Sequence, residues 1–157
     1  MLVRLASLND IDILVKVRFD YFDAENWEVS FKQRKAIEAS LRKYYSKYLN
    51  VDFFAALVEI DSKIASVAFL AISNRPANLS FPTGKIGTIL NVLTYPEYRK
   101  KGYATTTMNA LICEARNQNL SYIELSSSES GKSLYKKLGF IESVKSEHFT
   151  EMKLSLL

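Results

Sequence analysis

The sequence passes twice from an apolar strand pattern directly into an amphipathic helix pattern, and this restricts the fold more than any other feature. The first passage joins a predicted strand over Ile86–Thr94 to a predicted helix over Lys101–Asn117. The second joins a predicted strand over Ser121–Ser126 to a short predicted helix over Ser130–Leu138, which Gly139 ends. Such passages place helices against a sheet, so the pattern predicts an α/β fold.

The other segments add mainly antiparallel strands and two more helices. Four further apolar runs have the spacing of strands: Leu2–Leu5, Asp52–Ile60, Lys63–Ile72 and His148–Leu156. Two segments have the apolar spacing of helices: Ile11–Asp23, which follows capping residues at Ser7 to Asp10, and Phe31–Tyr48. We therefore predict a mixed sheet with helices on both faces.

The predicted helix over Phe31–Tyr48 has two different faces. The apolar stripe that we expect to pack inward consists of Ile37, Leu41, Tyr44 and Tyr48. The opposite face carries six cations: Lys32, Arg34, Lys35, Arg42, Lys43 and Lys47. A solvated face and a docking surface for an acidic partner both fit this pattern. Nucleic-acid binding is disfavoured, because Glu38 interrupts the cationic face and no recognition motif accompanies it.

Length and composition indicate an ordinary globular protein. With 157 residues, 48% of them hydrophobic and 24% charged, the chain is expected to form a single domain over residues 1–157. No apolar run approaches the roughly 20 residues that cross a bilayer, and the first residues do not resemble a signal peptide. We therefore expect a cytoplasmic protein. The single cysteine, Cys113, excludes an internal disulfide, offers no metal-ligand spacing and is expected in the core.

The first strand-to-helix passage contains YRKKGYA, Tyr98 to Ala104, which places three cations beside a glycine. A helix N-terminus has free backbone N–H groups and the positive end of the helix dipole, so it binds phosphate without dedicated side chains. Gly102 would let that backbone approach a ligand closely, and Thr105 adds a hydroxyl. The alternative is a charged surface turn in which the glycine serves only the geometry.

The second passage, Ser126 to Phe140, reads SSSESGKSLYKKLGF. Its segment Gly131-Lys132-Ser133 resembles the end of a P-loop, which also lies between a strand and a helix. A P-loop requires a glycine five residues before its last glycine, and that position is Ser126 here. The helix that follows also ends early, at Gly139. A P-loop kinase or NTPase is therefore disfavoured.

Together the two passages resemble motifs A and B of the GNAT acyltransferase superfamily, whose members transfer an acetyl group from acetyl-CoA to an acceptor, usually an amine. The family's R/Q-x-x-G-x-G/A loop is matched by Arg99-Lys100-Lys101-Gly102-Tyr103-Ala104. The family's leucine–tyrosine pair and the glycine–phenylalanine pair after it are matched by Leu134-Tyr135 and Gly139-Phe140. The resemblance is clear over Ile86 to Phe140. It implies the GNAT fold, with a mixed, mostly antiparallel sheet of about six or seven strands.

The resemblance implies that the chain binds acetyl-CoA as its acyl donor. The residues that would hold the CoA pyrophosphate are those of the first motif: Arg99, Lys100, Lys101, Gly102, Tyr103, Ala104 and Thr105. The backbone of Val92, Leu93 and Thr94 would pair with the pantetheine arm as an added strand does, and an N–H there would stabilise the oxyanion. Ser128 stands where many relatives have an asparagine that hydrogen-bonds CoA, and its hydroxyl reaches less far.

By the same resemblance, Tyr135 protonates the departing thiolate of CoA. Tyrosine has an unperturbed pKa of about 10 and a thiol one of about 8.5, so the phenol carries a proton at neutral pH. The alternative is that Tyr135 only packs beneath the cofactor. Glu124 is the nearest candidate for the general base, with a solvated strand residue as the alternative, and His148 is expected to be structural or exposed.

Two residues are assigned to binding of the acceptor. Arg18 interrupts the apolar stripe of the first predicted helix, and its side chain either reaches to solvent or binds an acidic group of the substrate. Asn91, on the strand before the first motif, cannot accept a proton and is assigned to acceptor binding. The predicted function is acetyl transfer to a small-molecule or peptide amine, with no nucleic-acid, membrane or metal partner and with a homodimer left open. A CoA-binding sensor without turnover is the alternative.

Overall fold

The computed structural model describes residues 1–143 and 152–156. The helices in these residues are α1 (Ile11–Ala24), α2 (Phe31–Tyr48), α3 (Tyr103–Asn117) and α4 (Lys132–Lys137). The strands are β1 (Leu2–Leu5), β2 (Phe53–Ile60), β3 (Lys63–Asn74), β4 (Lys85–Thr94) and β5 (Ile123–Glu124). The chain divides into two compact units, Met1–Ser126 and Ser127–Leu157, so that all the strands lie in the first unit and α4 in the second. The single domain over residues 1–157 stays a prediction.

The strands form one sheet in the order β1-β2-β3-β4-β5. The first four strands pair antiparallel, and β5 pairs parallel to β4. This confirms the predicted mixed sheet, with five strands in the described part of the chain where about six or seven were expected. Of the predicted strand over His148–Leu156, residues 152–156 adopt no regular structure, and the remainder, with His148, lies outside the described residues.

Helices cover both faces of the sheet in the first unit, as predicted. Along β2, Phe53, Ala55 and Leu57 belong to one core cluster with the buried residues of α1 and α2. Because side chains alternate across a strand, the residues between them face the opposite side, where α3 packs on β2 and β3. Met108 and Leu111 of α3 are fully buried there.

Two residues lie on a different helix face from the one predicted. On α2, Tyr45 is the buried tyrosine at 2% exposure, whereas Tyr44 is 36% exposed. The inward stripe runs in steps of four from Ile37 through Leu41, which brings Tyr45 and not Tyr44 onto it. On α3, Cys113 is exposed rather than in the core, because it lies two residues, or about 200°, from the buried Leu111.

A cluster of ionised side chains fixes the start of α1 to the edge of the sheet. Arg4 on β1 donates from both terminal nitrogens to the two oxygens of Asp10, each over 2.8 Å, and also to Glu59 on β2. Asp10 accepts a further hydrogen bond from the backbone N–H of Ser7, which completes a capping box among the predicted capping residues. Asp10 is only 6% exposed, and the Arg4 guanidinium lowers its pKa to about 2.

Candidate active site

The strands β4 and β5 are paired over only two residues and then separate. The pairs are Gly87 with Ile123 and Thr88 with Glu124. A glycine is required at this contact, because an added Cβ at Gly87 would lie 2.6 Å from a methyl group of Leu70 and 2.9 Å from one of Ile123. Beyond Thr88, β4 continues for six residues with no strand beside it on this edge in the described part of the chain.

A β-bulge distorts this open half of β4. The register with β3 shifts so that Leu90 pairs with Phe69 and Leu93 pairs with Val67, which leaves Asn91 and Val92 opposite a single residue. Asn91 has a φ of 55°, a left-handed conformation that asparagine adopts more readily than most residues. The bulge turns the Asn91 side chain inward, where it is 2% exposed.

Backbone alternation after the bulge shows which groups of β4 face the open edge. The N–H of Tyr95 donates to the carbonyl of Ala65 on the β3 side, and the carbonyl of Leu93 accepts from the Ser66 hydroxyl. Since successive residues of a strand point their backbone groups to opposite sides, Val92 and Thr94 point away from β3. Of the three residues predicted to pair with the pantetheine arm, these two present their backbone to the open edge.

The open edge leads into the predicted phosphate loop. A short 3₁₀ turn, Pro96–Tyr98, follows β4, and Nε of Arg99 donates back to the carbonyl of Thr94 over 3.1 Å. Gly102 has a φ of 81° and precedes the first residue of α3 without any side chain capping the helix. An added Cβ at Gly102 would meet no atom within 4 Å, so the space before the helix N-terminus is open. The loop therefore exposes uncapped backbone N–H groups.

The cations of this loop are exposed and available to an anion. Arg99, Lys100 and Lys101 form no salt bridge with any carboxylate of residues 1–143 and 152–156. Lys101 Nζ donates to the backbone carbonyl of Glu97 and lies 5.7 Å from the ring centroid of Tyr98. The positive charge is thus held near the helix N-terminus by backbone contacts. The other predicted residues of the loop, Tyr103, Ala104 and Thr105, form the half-buried first turn of α3.

The predicted general base, Glu124, is exposed on β5. In the second unit, the ring of the predicted acid, Tyr135, packs edge-on against Phe140 with 5.9 Å between the ring centroids. The N–H of Phe140 donates to the carbonyl of Tyr135 over 3.0 Å, so the tyrosine and the glycine–phenylalanine pair form one compact turn. The Ser128 hydroxyl lies 3.1 Å from that of Ser130. The roles of Glu124, Ser128 and Tyr135 stay predictions.

The two residues assigned to the acceptor contact each other. Nη1 of Arg18 donates to Oδ1 of Asn91 over 3.2 Å, and Nδ2 of Asn91 donates to the carbonyl of Val17 over 3.3 Å. The guanidinium of Arg18 also lies 4.7 Å from the ring centroid of Phe22. Half-burial lowers the pKa of Arg18 below its usual value. The side chain thus turns toward β4 and is held there by Asn91.

A further contact between α1 and the end of β4 was not predicted from the sequence. The hydroxyl of Tyr95 donates to the carboxylate of Asp20, which also pairs with Lys16. Burial and this hydrogen bond raise the pKa of Tyr95 above its usual value. The only local signal is the proline after Tyr95, which indicates the end of a strand but no partner.

A sequence model described as the acetyltransferase (GNAT) family matches residues 18–140, more than half of the chain. The chain belongs to this family. The expected GNAT fold is therefore confirmed, and the matched region extends from Arg18 to the end of the second motif. No curated protein matched the chain in sequence.

Solved structures agree with the GNAT assignment. A predicted acetyltransferase with acetyl-CoA from Clostridium acetobutylicum is 29% identical, with a TM-score of 0.82 over 97% of this chain and 95% of that one. A GCN5-related N-acetyltransferase from Ralstonia eutropha is 18% identical, with a TM-score of 0.75 over 95% and 97% of the two chains. A ribosomal-protein-alanine N-acetyltransferase from Brucella melitensis is 14% identical, with a TM-score of 0.65 over 99% and 100%. The latter two show the shared fold alone.

None of the helices in residues 1–143 and 152–156 is long and apolar enough to cross a membrane.

Proposed function

We propose that this GNAT-family protein transfers an acetyl group from acetyl-CoA to the nitrogen of an amine acceptor. The observation that carries the proposal is the continuity of the open β4 edge with the uncapped N-terminus of α3. An extended, amide-containing arm would pair with the backbone of Val92 and Thr94. A diphosphate at its end would then meet the N–H groups that follow Gly102, together with the charge of Arg99 to Lys101.

The identity of the acyl donor is supported from two sides. The 29% identical structure from Clostridium acetobutylicum is described with acetyl-CoA. In this chain, the absence of a Cβ at Gly102 leaves open the space that a pyrophosphate needs. A P-loop nucleotide has less support, because the helix that follows Gly131 and begins at Lys132 has only six residues.

The proposed chemistry is attack of a neutral amine on the thioester carbonyl carbon. The negative charge that develops on the carbonyl oxygen would be stabilised by a backbone N–H of the open β4 edge, at Val92 or Thr94. When the carbon–sulfur bond breaks, the sulfur would take a proton from the hydroxyl of Tyr135 and the amine would give up a proton; the Tyr135 phenolate would then regain a proton from water. We assign Glu124 as the group that receives this proton, directly or through water, since it is exposed on the strand that separates from β4.

The donor is tested by thermal unfolding of the full chain with acetyl-CoA and with ATP. A ligand at a hundred times its dissociation constant adds about 2.7 kcal/mol to the free energy of unfolding. For a chain of this size that corresponds to a rise in melting temperature of roughly 5–10 °C. We expect this rise with acetyl-CoA and a much smaller one with ATP. Equal stabilisation by ATP, or none by acetyl-CoA, contradicts the proposal.

Turnover is tested by release of free thiol from acetyl-CoA with a panel of amines. The second candidate, a sensor that binds CoA without catalysis, predicts a rise in melting temperature with no thiol release above the background rate. We propose a cytoplasmic location for the same protein. Size-exclusion chromatography with light scattering measures its molar mass in solution and so distinguishes a monomer from a homodimer.

A further inference from the structure

Arg18 has an edge of its guanidinium without a partner in the described part of the chain. Only Nη1 is used, in the bond to Asn91, and no carboxylate of residues 1–143 and 152–156 forms a salt bridge with Arg18. Nε and Nη2, which form the side-on edge of the guanidinium, make no hydrogen bond there. Every buried side-chain nitrogen and oxygen among the described residues has a partner. The free edge of Arg18 is therefore reached by solvent.

Among the described residues, no carboxylate compensates the charge of Arg18. The titratable groups that act on it are the phenols of Tyr45 and Tyr21. Burial raises the pKa of both phenols, so both are neutral at pH 7. A half-buried cation with neutral neighbours favours an anion from outside the protein, because the interaction is less screened than at the surface.

The surroundings of Arg18 hold the guanidinium in one orientation. The Asn91 amide is fixed at both ends, since Nδ2 must donate to the Val17 carbonyl and Oδ1 is then left to accept from Arg18. Cζ of the guanidinium also lies over the Phe22 ring, 4.7 Å from its centroid. The remaining edge, Nε with Nη2, is the pair of parallel donors that matches the two oxygens of a carboxylate.

From these contacts we propose that Arg18 binds a carboxylate of the acceptor, so that the substrate is a small amine that also carries a carboxylate. This inference rests on the proposed acetyl transfer. Asn91, which contacts Arg18, directly precedes Val92 of the open β4 edge. Because a strand advances about 3.3 Å per residue, a carboxylate bound by Arg18 would lie within a few strand residues of that edge. The amine and the carboxylate therefore belong to one compact molecule, as in an amino acid.

Binding is measured without relying on turnover, by saturation-transfer NMR on the full chain with and without CoA. The probes are amino acids of different side-chain size. Each is compared with the corresponding amino-acid amide, which lacks the carboxylate, and phosphoethanolamine is compared with ethanolamine, which lacks the phosphate. We expect saturation transfer to at least one amino acid and none to its amide. Arg18→Met, which keeps the apolar stem over Phe22, should weaken that binding on the order of tenfold to a hundredfold. Arg18→Lys keeps the positive charge but loses the pair of parallel donors, so its affinity for the amino acid should lie between those of the wild type and Arg18→Met.

The matched control is Arg34→Met. Arg34 also lies over a phenylalanine, 4.4 Å from the ring centroid of Phe19, but its guanidinium already pairs with Asp23. We expect this variant to bind the amino acid as the wild type does. The carboxylate assignment is overturned if no amino acid binds, if the amides bind equally well, if binding persists in Arg18→Met, or if only phosphoethanolamine depends on Arg18.

The rise in melting temperature with acetyl-CoA is recorded for each variant. If a variant still shows this rise, it is folded and binds acetyl-CoA. A loss of amino-acid binding in that variant then concerns the carboxylate site alone. If acetyl-CoA does not raise the melting temperature of the wild type, the proposed function itself is contradicted.

Discussion

Arg18 and Asn91 are 73 positions apart in the chain, and Nη1 of Arg18 donates a hydrogen bond to Oδ1 of Asn91 over 3.2 Å. The contact joins α1 to the bulge of β4, where Asn91 is buried in a left-handed backbone conformation. Because the second bond of Asn91 goes to the Val17 carbonyl, the amide cannot turn without losing a partner. The orientation of Arg18 thus depends on the bulge.

Replacing Asn91 by aspartate should neutralise Arg18 from within the protein. The new carboxylate would pair with the guanidinium but would place an oxygen against the Val17 carbonyl, which lowers stability by about 1–3 kcal/mol. We expect acetyl-CoA to bind as before and the KM of any carboxylate-bearing acceptor to rise on the order of tenfold or more. Steady-state kinetics with thiol release measures both parameters. An unchanged acceptor KM in a folded variant would show that the charge of Arg18 is not used in binding.

Replacing Gly102 by valine should remove acetyl-CoA binding and leave a folded protein. The side chain would occupy the open space before α3, and the positive φ adds a strain of about 1–2 kcal/mol. Gly102→Ala separates the two effects, since it has similar backbone strain with much less bulk and should bind acetyl-CoA more weakly but measurably. Calorimetric titration gives the affinities. Wild-type affinity in the valine variant would mean that YRKKGYA is an ordinary charged turn.

Replacing Tyr135 by phenylalanine tests the proposed general acid. Only the transition state uses the phenolic proton, so kcat should fall on the order of a hundredfold while the affinity for acetyl-CoA changes little. Phenylalanine keeps the ring that packs on Phe140, which makes it the appropriate isostere. Weaker acetyl-CoA binding with normal kcat would mean that the tyrosine positions the cofactor. Wild-type values of both would mean that the residue is packing.

The Arg4–Asp10 pair predicts how stability depends on pH. The folded pKa of Asp10, about 2, lies below its ordinary value of 3.8, so the stabilisation is complete above about pH 4 and is lost as the pH falls through 2. The difference corresponds to about 2 kcal/mol, or roughly 4–8 °C in melting temperature. Melting curves between pH 7 and pH 2 for the wild type and Asp10→Asn measure it. The variant should lack this part of the acid-induced decrease, and parallel curves for the two proteins would refute the assignment.

Local sequence determined the elements whose ends depend on local chemistry. β1 and α2 have the predicted bounds. The capping box at Ser30 fixes the start of α2, and the one at Ser7 fixes the 3₁₀ turn Leu8–Asp10 that leads into α1, in both cases through hydrogen bonds within four residues. The loop around Gly102 was predicted for the same reason, since a glycine before an uncapped helix is a property of adjacent residues. Even so, the apolar periodicity wrongly predicted Tyr44 rather than Tyr45 as the buried tyrosine. Neighbouring residues on a helix point only about 100° apart, so which of the two is buried depends on what packs against the helix.

The sequence by itself therefore indicated the GNAT family, through the resemblance of two motifs that each lie within a single segment. It also indicated the strands and helices of a mixed α/β fold and the loop at Arg99–Thr105. The tertiary structure decided where β4 pairs with β5 and where the two strands separate. The pairing places Gly87 against both Leu70 and Ile123. It also decided that Asn91 occupies a bulge and holds Arg18, a contact between segments 73 residues apart. No local propensity specifies such pairings, because they depend on strand register and on the packing of α1 over the sheet.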